Sequence, residues 1–130
     1  MTKPSAKTLR NKCDRLFSLI VRSRGACERC GKRPPDVKLE TSHVFSRRYA
    51  WIRCDERNAF CLCSGCHRYV TANPIEHAWF AHQQWEENGF GLAVESELIG
   101  LRDRGKLPAG WWQDEHDRLK ARAADLGIDT

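Results

Sequence analysis

Two Cys-x2-Cys units, Cys27–Cys30 in "CERC" and Cys63–Cys66 in "CSGC", constrain this chain more than anything else in it. Each unit can form a tight knuckle that points two thiolates at one ion. Two such knuckles give the tetrahedral four-sulfur coordination of a closed structural zinc site. The knuckles are separated by 32 residues, too many for a minimal ribbon, so an element of hairpin size must lie between them. A zinc held by four thiolates has no open position for water or substrate, so this ion folds the chain and does no chemistry. Any catalytic metal must be a second one.

Seven cysteines are an odd number, which argues against a closed disulfide framework. No apolar run is long enough to cross a membrane, and the basic start "MTKPSAKTLRNK" lacks the apolar stretch of a secretory leader. The expected setting is therefore a reducing cytoplasm, where clustered cysteines hold metal. Three cysteines are left over. Cys61 lies two residues before Cys63, so it either substitutes for one ligand or packs as a buried strand cysteine. Cys13 falls in a helical stripe and reads as a small hydrophobe. Cys54 lies in a loop and has no assigned role.

The 130 residues suggest one domain with three regions: a basic helix over 1–25, a zinc-stabilised core over 26–75 and a helical extension over 76–130. The formal charge of +5 is unevenly spread. Residues 1–24 carry +6, residues 25–74 carry +4 and residues 75–130 carry −5. A basic face suggests a phosphate-rich partner. Leu9, Cys13, Leu16, Phe17, Ile20 and Val21 predict an amphipathic helix over 5–24, with Arg10, Lys12, Arg15, Arg22 and Arg24 on its polar side. "VKLETSHV" and "NAFCLC" read as short strands joined by the polar loop "FSRRYAWIRCDER". A second helix starts at Asn73-Pro74, with Asn73 as N-cap, Glu76 completing a capping box, and Ile75, Ala78, Trp79, His82 and Trp85 as its apolar stripe. Further helices are expected over about 91–103, with Leu92, Leu98, Ile99 and Leu101, and about 110–126, with Trp111, Trp112, Leu119, Ala123 and Leu126.

Within the insertion stand His43, then Asn58 after fourteen intervening residues, and then His67 directly after the last knuckle cysteine. Singly, each has an ordinary structural reading, and His67 is also an alternative zinc ligand. In this order and spacing they resemble the HNH nucleases, whose ββα-metal fold carries zinc knuckles. The stretch "SHVFSRRYAWIRCDERNAFCLCSGCHRYVTANP", with the later Gly-Phe-Gly, is similar to phage recombination nucleases of the lambda Rap (NinG) type. The resemblance covers roughly residues 27–100.

That resemblance implies an α+β fold with a zinc-knuckle ββα-metal core, an N-terminal helix and a C-terminal helical extension. It implies hydrolysis of DNA phosphodiester bonds, with branched, nicked or duplex DNA as partner. His43 would be the general base, Asn58 would orient His43 or its loop, and His67 would bind the catalytic divalent ion, Mg²⁺ or Mn²⁺. Arg47, Arg48 and Arg53 would grip phosphates. Many HNH enzymes have a metal-binding Asp before the base. Here that position is Ser42, and Glu40 on the same strand face is the candidate carboxylate. Where some family members carry a second metal-binding His four residues after the first, this chain has Thr71. The tail tryptophans suggest a homodimer interface or, alternatively, completion of a small core. A non-catalytic zinc-ribbon DNA-binding module would explain the cysteines and the basic half, but it needs neither His43 nor Asn58. A protein-interaction module using the acidic tail would leave the arginines unexplained.

Overall fold

The computed structural model describes residues 3–91 and 93–130. Among them the fold is α+β, with five α-helices and a two-stranded antiparallel sheet. Helix α1 (Ala6–Arg22) begins at Ser5, whose hydroxyl accepts from the Thr8 amide. Its buried residues are the six of the expected stripe, Leu9, Cys13, Leu16, Phe17, Ile20 and Val21. Period alone suffices here, because one side of α1 meets the rest of the chain along its whole length.

Strand β1 (Leu39–His43) pairs with β2 (Ala59–Cys63) in a register that sets Leu39 opposite Cys63 and His43 opposite Ala59. Opposed residues share a face of the sheet. Leu39, Thr41 and His43 therefore face α1, where Thr41 donates its hydroxyl to Ser18 at 3.1 Å and Phe17 lies against the His43 ring at 5.5 Å. Glu40 and Ser42 share the other face with Leu62 and Phe60. The first knuckle caps the outer edge of β2. The Glu28 amide donates to the Cys61 carbonyl at 2.8 Å, and the Glu28 carboxylate accepts the Cys61 amide at 2.7 Å.

Beyond β2 the chain turns directly into α2 (Ser64–Ala72), then α3 (Pro74–Glu87), α4 (Ala93–Arg102) and α5 (Trp111–Asp125). The residue pattern suggested only a cysteine turn at α2. That segment is short and weakly periodic, and it becomes a helix because the second knuckle forms its first turn. Asn73 does not cap α3 with its side chain. A single residue separates the two helices, and its amide instead donates to the Tyr69 carbonyl of α2 at 2.8 Å.

The expected apolar stripe of α3 is also corrected. Trp85 is buried as expected, but Ile75 is 86% exposed and Trp79 is 60% exposed, and Phe80 and Ala81 are buried instead. The helix has two apolar sides, and Phe60 of β2 decides between them. Its ring meets Phe80 edge-on at 5.2 Å, and the Trp85 indole N–H is satisfied by the Arg57 carbonyl at 2.8 Å. Leu98 and Val94 bury α4, while Leu92 lies outside the described residues. Helix α5 packs Leu119 and Ala123 inward beside α1, where the Cys13 thiol contacts the Trp112 carbonyl at 3.7 Å. Trp111 packs on Trp51 at 4.7 Å, so both tail tryptophans make contacts within the chain. Among the described residues, no helix is long and apolar enough to cross a membrane.

Candidate metal centre and candidate active site

Cys63 is the last residue of β2 and the N-cap of α2, so strand and helix both fix its position. Its sulfur accepts the Cys66 amide at 3.4 Å, and the Cys27 sulfur accepts the Cys30 amide at 3.5 Å. These i to i+3 contacts are the turns expected of two knuckles. In the first, Gly31 has φ +79°, a backbone conformation that L side chains rarely adopt. The four sulfurs of Cys27, Cys30, Cys63 and Cys66 all lie within 4.8 Å of one another. Cys30 and Cys63 are 3.8 Å apart. A tetrahedron of sulfurs about 2.3 Å from a central zinc has edges of about 3.8 Å, so the group is close to the size zinc needs and could hold it after a small contraction. Burial pushes the Cys66 thiol up to about 12, whereas at Cys27 burial is outweighed by backbone hydrogen bonds, which bring the thiol down to about 7. The thiols therefore ionise unequally, and a bound cation would favour the ionised form of all four. Arg29 donates to the Cys66 sulfur at 3.4 Å and lies over the Tyr69 ring, which adds a positive charge beside the cluster.

No other group of three or more such ligands is brought together among the described residues. Cys61 is outside the cluster. It is buried against the α1 side of the sheet, and burial raises its thiol to about 11. Burial raises Cys54 as well, and that residue sits in the core.

A cleft of about 640 Å³ lies between α1, β1 and the start of α2, and both His43 and His67 line it. They reach it from opposite sides. His43 projects from the α1 face of β1. His67 follows Cys66 on α2, rotated about 100° from the cluster-facing cysteine by the helix. The backbone that closes the metal centre therefore turns its next side chain into the cleft.

Nε2 of His43 lies 2.9 Å from the Arg53 carbonyl. A carbonyl only accepts, so Nε2 carries the proton and Nδ1 keeps its lone pair. Burial holds the His43 imidazole below its ordinary value, and Arg47 adds to the effect, while the bond to the Arg53 carbonyl opposes it.

Asn58 is fully buried and anchors the loop instead of touching His43. Its oxygen accepts the Phe45 amide at 2.8 Å, and its nitrogen donates to the Phe45 and Ile52 carbonyls, both at 3.1 Å. His67 Nδ1 lies 2.8 Å from Oε1 of Glu40, whose other oxygen accepts the Ser64 hydroxyl at 2.8 Å. These bonds to His67 and Ser64 lower the Glu40 carboxyl below its usual range. Ser42 is only 1% exposed and does not line the cleft, so it is not placed to reach an ion there.

The three arginines diverge. Arg47 lines the cleft and its side chain is 62% exposed. Arg48 donates to the Tyr49 hydroxyl at 2.6 Å and lies over that ring. Arg53 is committed inside the molecule, with Nε and Nη2 on Asp14 at 2.8 and 2.6 Å and Nη1 on the Arg47 carbonyl at 3.0 Å. It is therefore a brace, with each of its three guanidinium nitrogens already bonded inside the molecule. Sequence reasoning missed Asp14, which lines the cleft from α1. Its one signal is that it is the sole acid among the seven cations of residues 1–24.

No protein-family model, curated protein or solved structure matches this chain.

Proposed function

We propose that the chain is a metal-dependent DNA endonuclease of the HNH type, in which β1, β2 and α2 form the ββα-metal unit. The observation that carries this reading is the His43–Arg53 contact. A histidine in a cleft has one ring nitrogen locked as donor and the other left basic, which is how a general base is prepared.

In this reading His43 Nδ1 takes a proton from water as the water oxygen attacks phosphorus, and the bond from phosphorus to the departing sugar oxygen breaks. Glu40 fixes the Nδ1–H of His67, which leaves Nε2 available as a ligand for Mg²⁺ or Mn²⁺. That ion would neutralise the scissile phosphate and stabilise the departing oxygen. Zinc in the four-cysteine group would hold the fold. Arg47 and the cations of α1 would contact the phosphates of DNA, with branched or nicked duplex as the substrate class.

The test is incubation with supercoiled plasmid and a synthetic four-way junction, in Mg²⁺ or Mn²⁺, beside His43→Ala. Metal-dependent cutting by the wild type alone supports the reading. A wild type that cuts no better than the variant ends it, and retained DNA binding would then indicate a non-catalytic zinc-ribbon module.

A further inference from the structure

Asp14 stands on α1, outside the strand–loop–strand unit that carries His43, yet it is tied to that unit at two points. Oδ1 accepts from Arg53 Nε at 2.8 Å and Oδ2 accepts from Nη2 at 2.6 Å. Such a fork fixes orientation as well as distance. The third guanidinium nitrogen of Arg53 donates to the Arg47 carbonyl at 3.0 Å. The carbonyl of this same arginine accepts from His43 Nε2 at 2.9 Å. Asp14 thus grips, from a separate element, the residue whose main chain sets the imidazole.

The arrangement answers a physical need. The connection over 44–58 contains only two short turns, Ala50–Ile52 and Glu56–Asn58, and a loop of that kind does not by itself hold a carbonyl to a few tenths of an ångström. Asn58 ties down its beginning through Phe45 and its middle through Ile52. Arg53 lies past that tie: its amide donates to the Ala50 carbonyl at 3.4 Å, Arg118 holds the next carbonyl, of Cys54, at 2.9 Å, and Asp14 fixes its side chain. Thr41 to Ser18 and Phe17 to His43 align α1 along the same side of β1.

We propose that Asp14 is a positioning residue for the general base, acting through Arg53 to hold the carbonyl that fixes the His43 ring. The inference rests on the nuclease reading and adds α1 to its machinery. Loss of the fork leaves the substrate-facing groups in place and loosens the base. It also releases Arg53, and Arg47 at 3.9 Å, from the Asp14 charge. The result is a split in kinetics: turnover falls while DNA binding does not weaken.

The experiment compares wild type, Asp14→Asn and Arg53→Lys in single-turnover plasmid cleavage, with thermal melting as a fold check. Each variant is expected to lose up to about 100-fold in kcat, the scale of a misplaced reacting group, with KM unchanged or lower. Folded variants that cut at the wild-type rate, or that lose KM and kcat alike, overturn the proposal. A second readout does not depend on cleavage. Nitrogen-15 NMR of the His43 ring near neutral pH should show a single Nε2–H tautomer in the wild type and a mixture in Asp14→Asn. An unchanged tautomer in the variant overturns the clamp even if the wild type proves to cut DNA. A wild type that cuts nothing, with the tautomer change still present, removes the nuclease reading and leaves the clamp standing.

Discussion

His43 Nε2 donates to the Arg53 carbonyl across 2.9 Å, and this bond together with burial determines what the ring can do. Burial holds the imidazole below its ordinary value near 6.5. A general base works only when neutral, and a lowered pKa keeps it neutral to lower pH. The acid limb of a kcat/KM against pH profile should therefore bend below about 6.5. A bend above that value would mean that another group limits the rate.

Asn58 is itself fully buried and makes three hydrogen bonds, to the Phe45 amide and to the Phe45 and Ile52 carbonyls. Asn58→Ala leaves the Phe45 amide and two carbonyls without these partners. Unsatisfied buried groups cost about 1–3 kcal/mol each, so a loss of roughly 3 kcal/mol is expected in urea unfolding. Cleavage should fall with it, because the loop that presents the Arg53 carbonyl is the loop Asn58 anchors.

The metal centre predicts a contrast between two neighbouring cysteines. Cys27→Ser should lose bound zinc and cooperative thermal unfolding together, since the ion supplies folding free energy. Cys61→Ala should keep one zinc per chain and lose on the order of 1 kcal/mol from the small cavity. Zinc content and melting of the two purified variants check this. Zinc loss in Cys61→Ala would place that sulfur in the coordination sphere.

His67→Ala should remain folded and zinc-loaded yet lose metal-dependent cleavage, because His67 leaves the knuckle on the cleft side of α2. An unfolded or zinc-free His67→Ala protein would assign His67 to the structural ion instead.

Arg47 and Arg53 should separate in DNA binding. Arg47 is exposed in the cleft, so Arg47→Ala should flatten the dependence of log affinity on log salt by about one. Arg53→Ala should lower the melting temperature without that change, because its guanidinium already serves Asp14 and the Arg47 carbonyl.

The features legible in the sequence are those set by local spacing. The α1 stripe follows from its 3.6-residue period, and the four sulfurs follow from two knuckles whose internal geometry needs no distant partner. Long-range choices were not legible. Nothing near Phe80 says that its side of α3 wins over that of Trp79; the ring of Phe60 decides it. The formal charge of Arg53 suggests a phosphate, but a carboxylate 39 residues earlier captures it. Ser42 stands next to His43 in the chain, yet it is buried and does not line the cleft, which only the packed fold determines. Helix α2 is too short to announce itself by period and is seeded by the knuckle at its start.

The central claim is that His43 acts as the base for hydrolysis in a cleft separate from the four-cysteine centre. The direct measurement is the single-turnover rate of plasmid cleavage in Mg²⁺ or Mn²⁺ by wild type and by His43→Ala, each confirmed folded and carrying one zinc. The account predicts a loss of at least about 100-fold in the variant, the lower range for general-base catalysis. Equal rates in two folded, zinc-loaded proteins would contradict it.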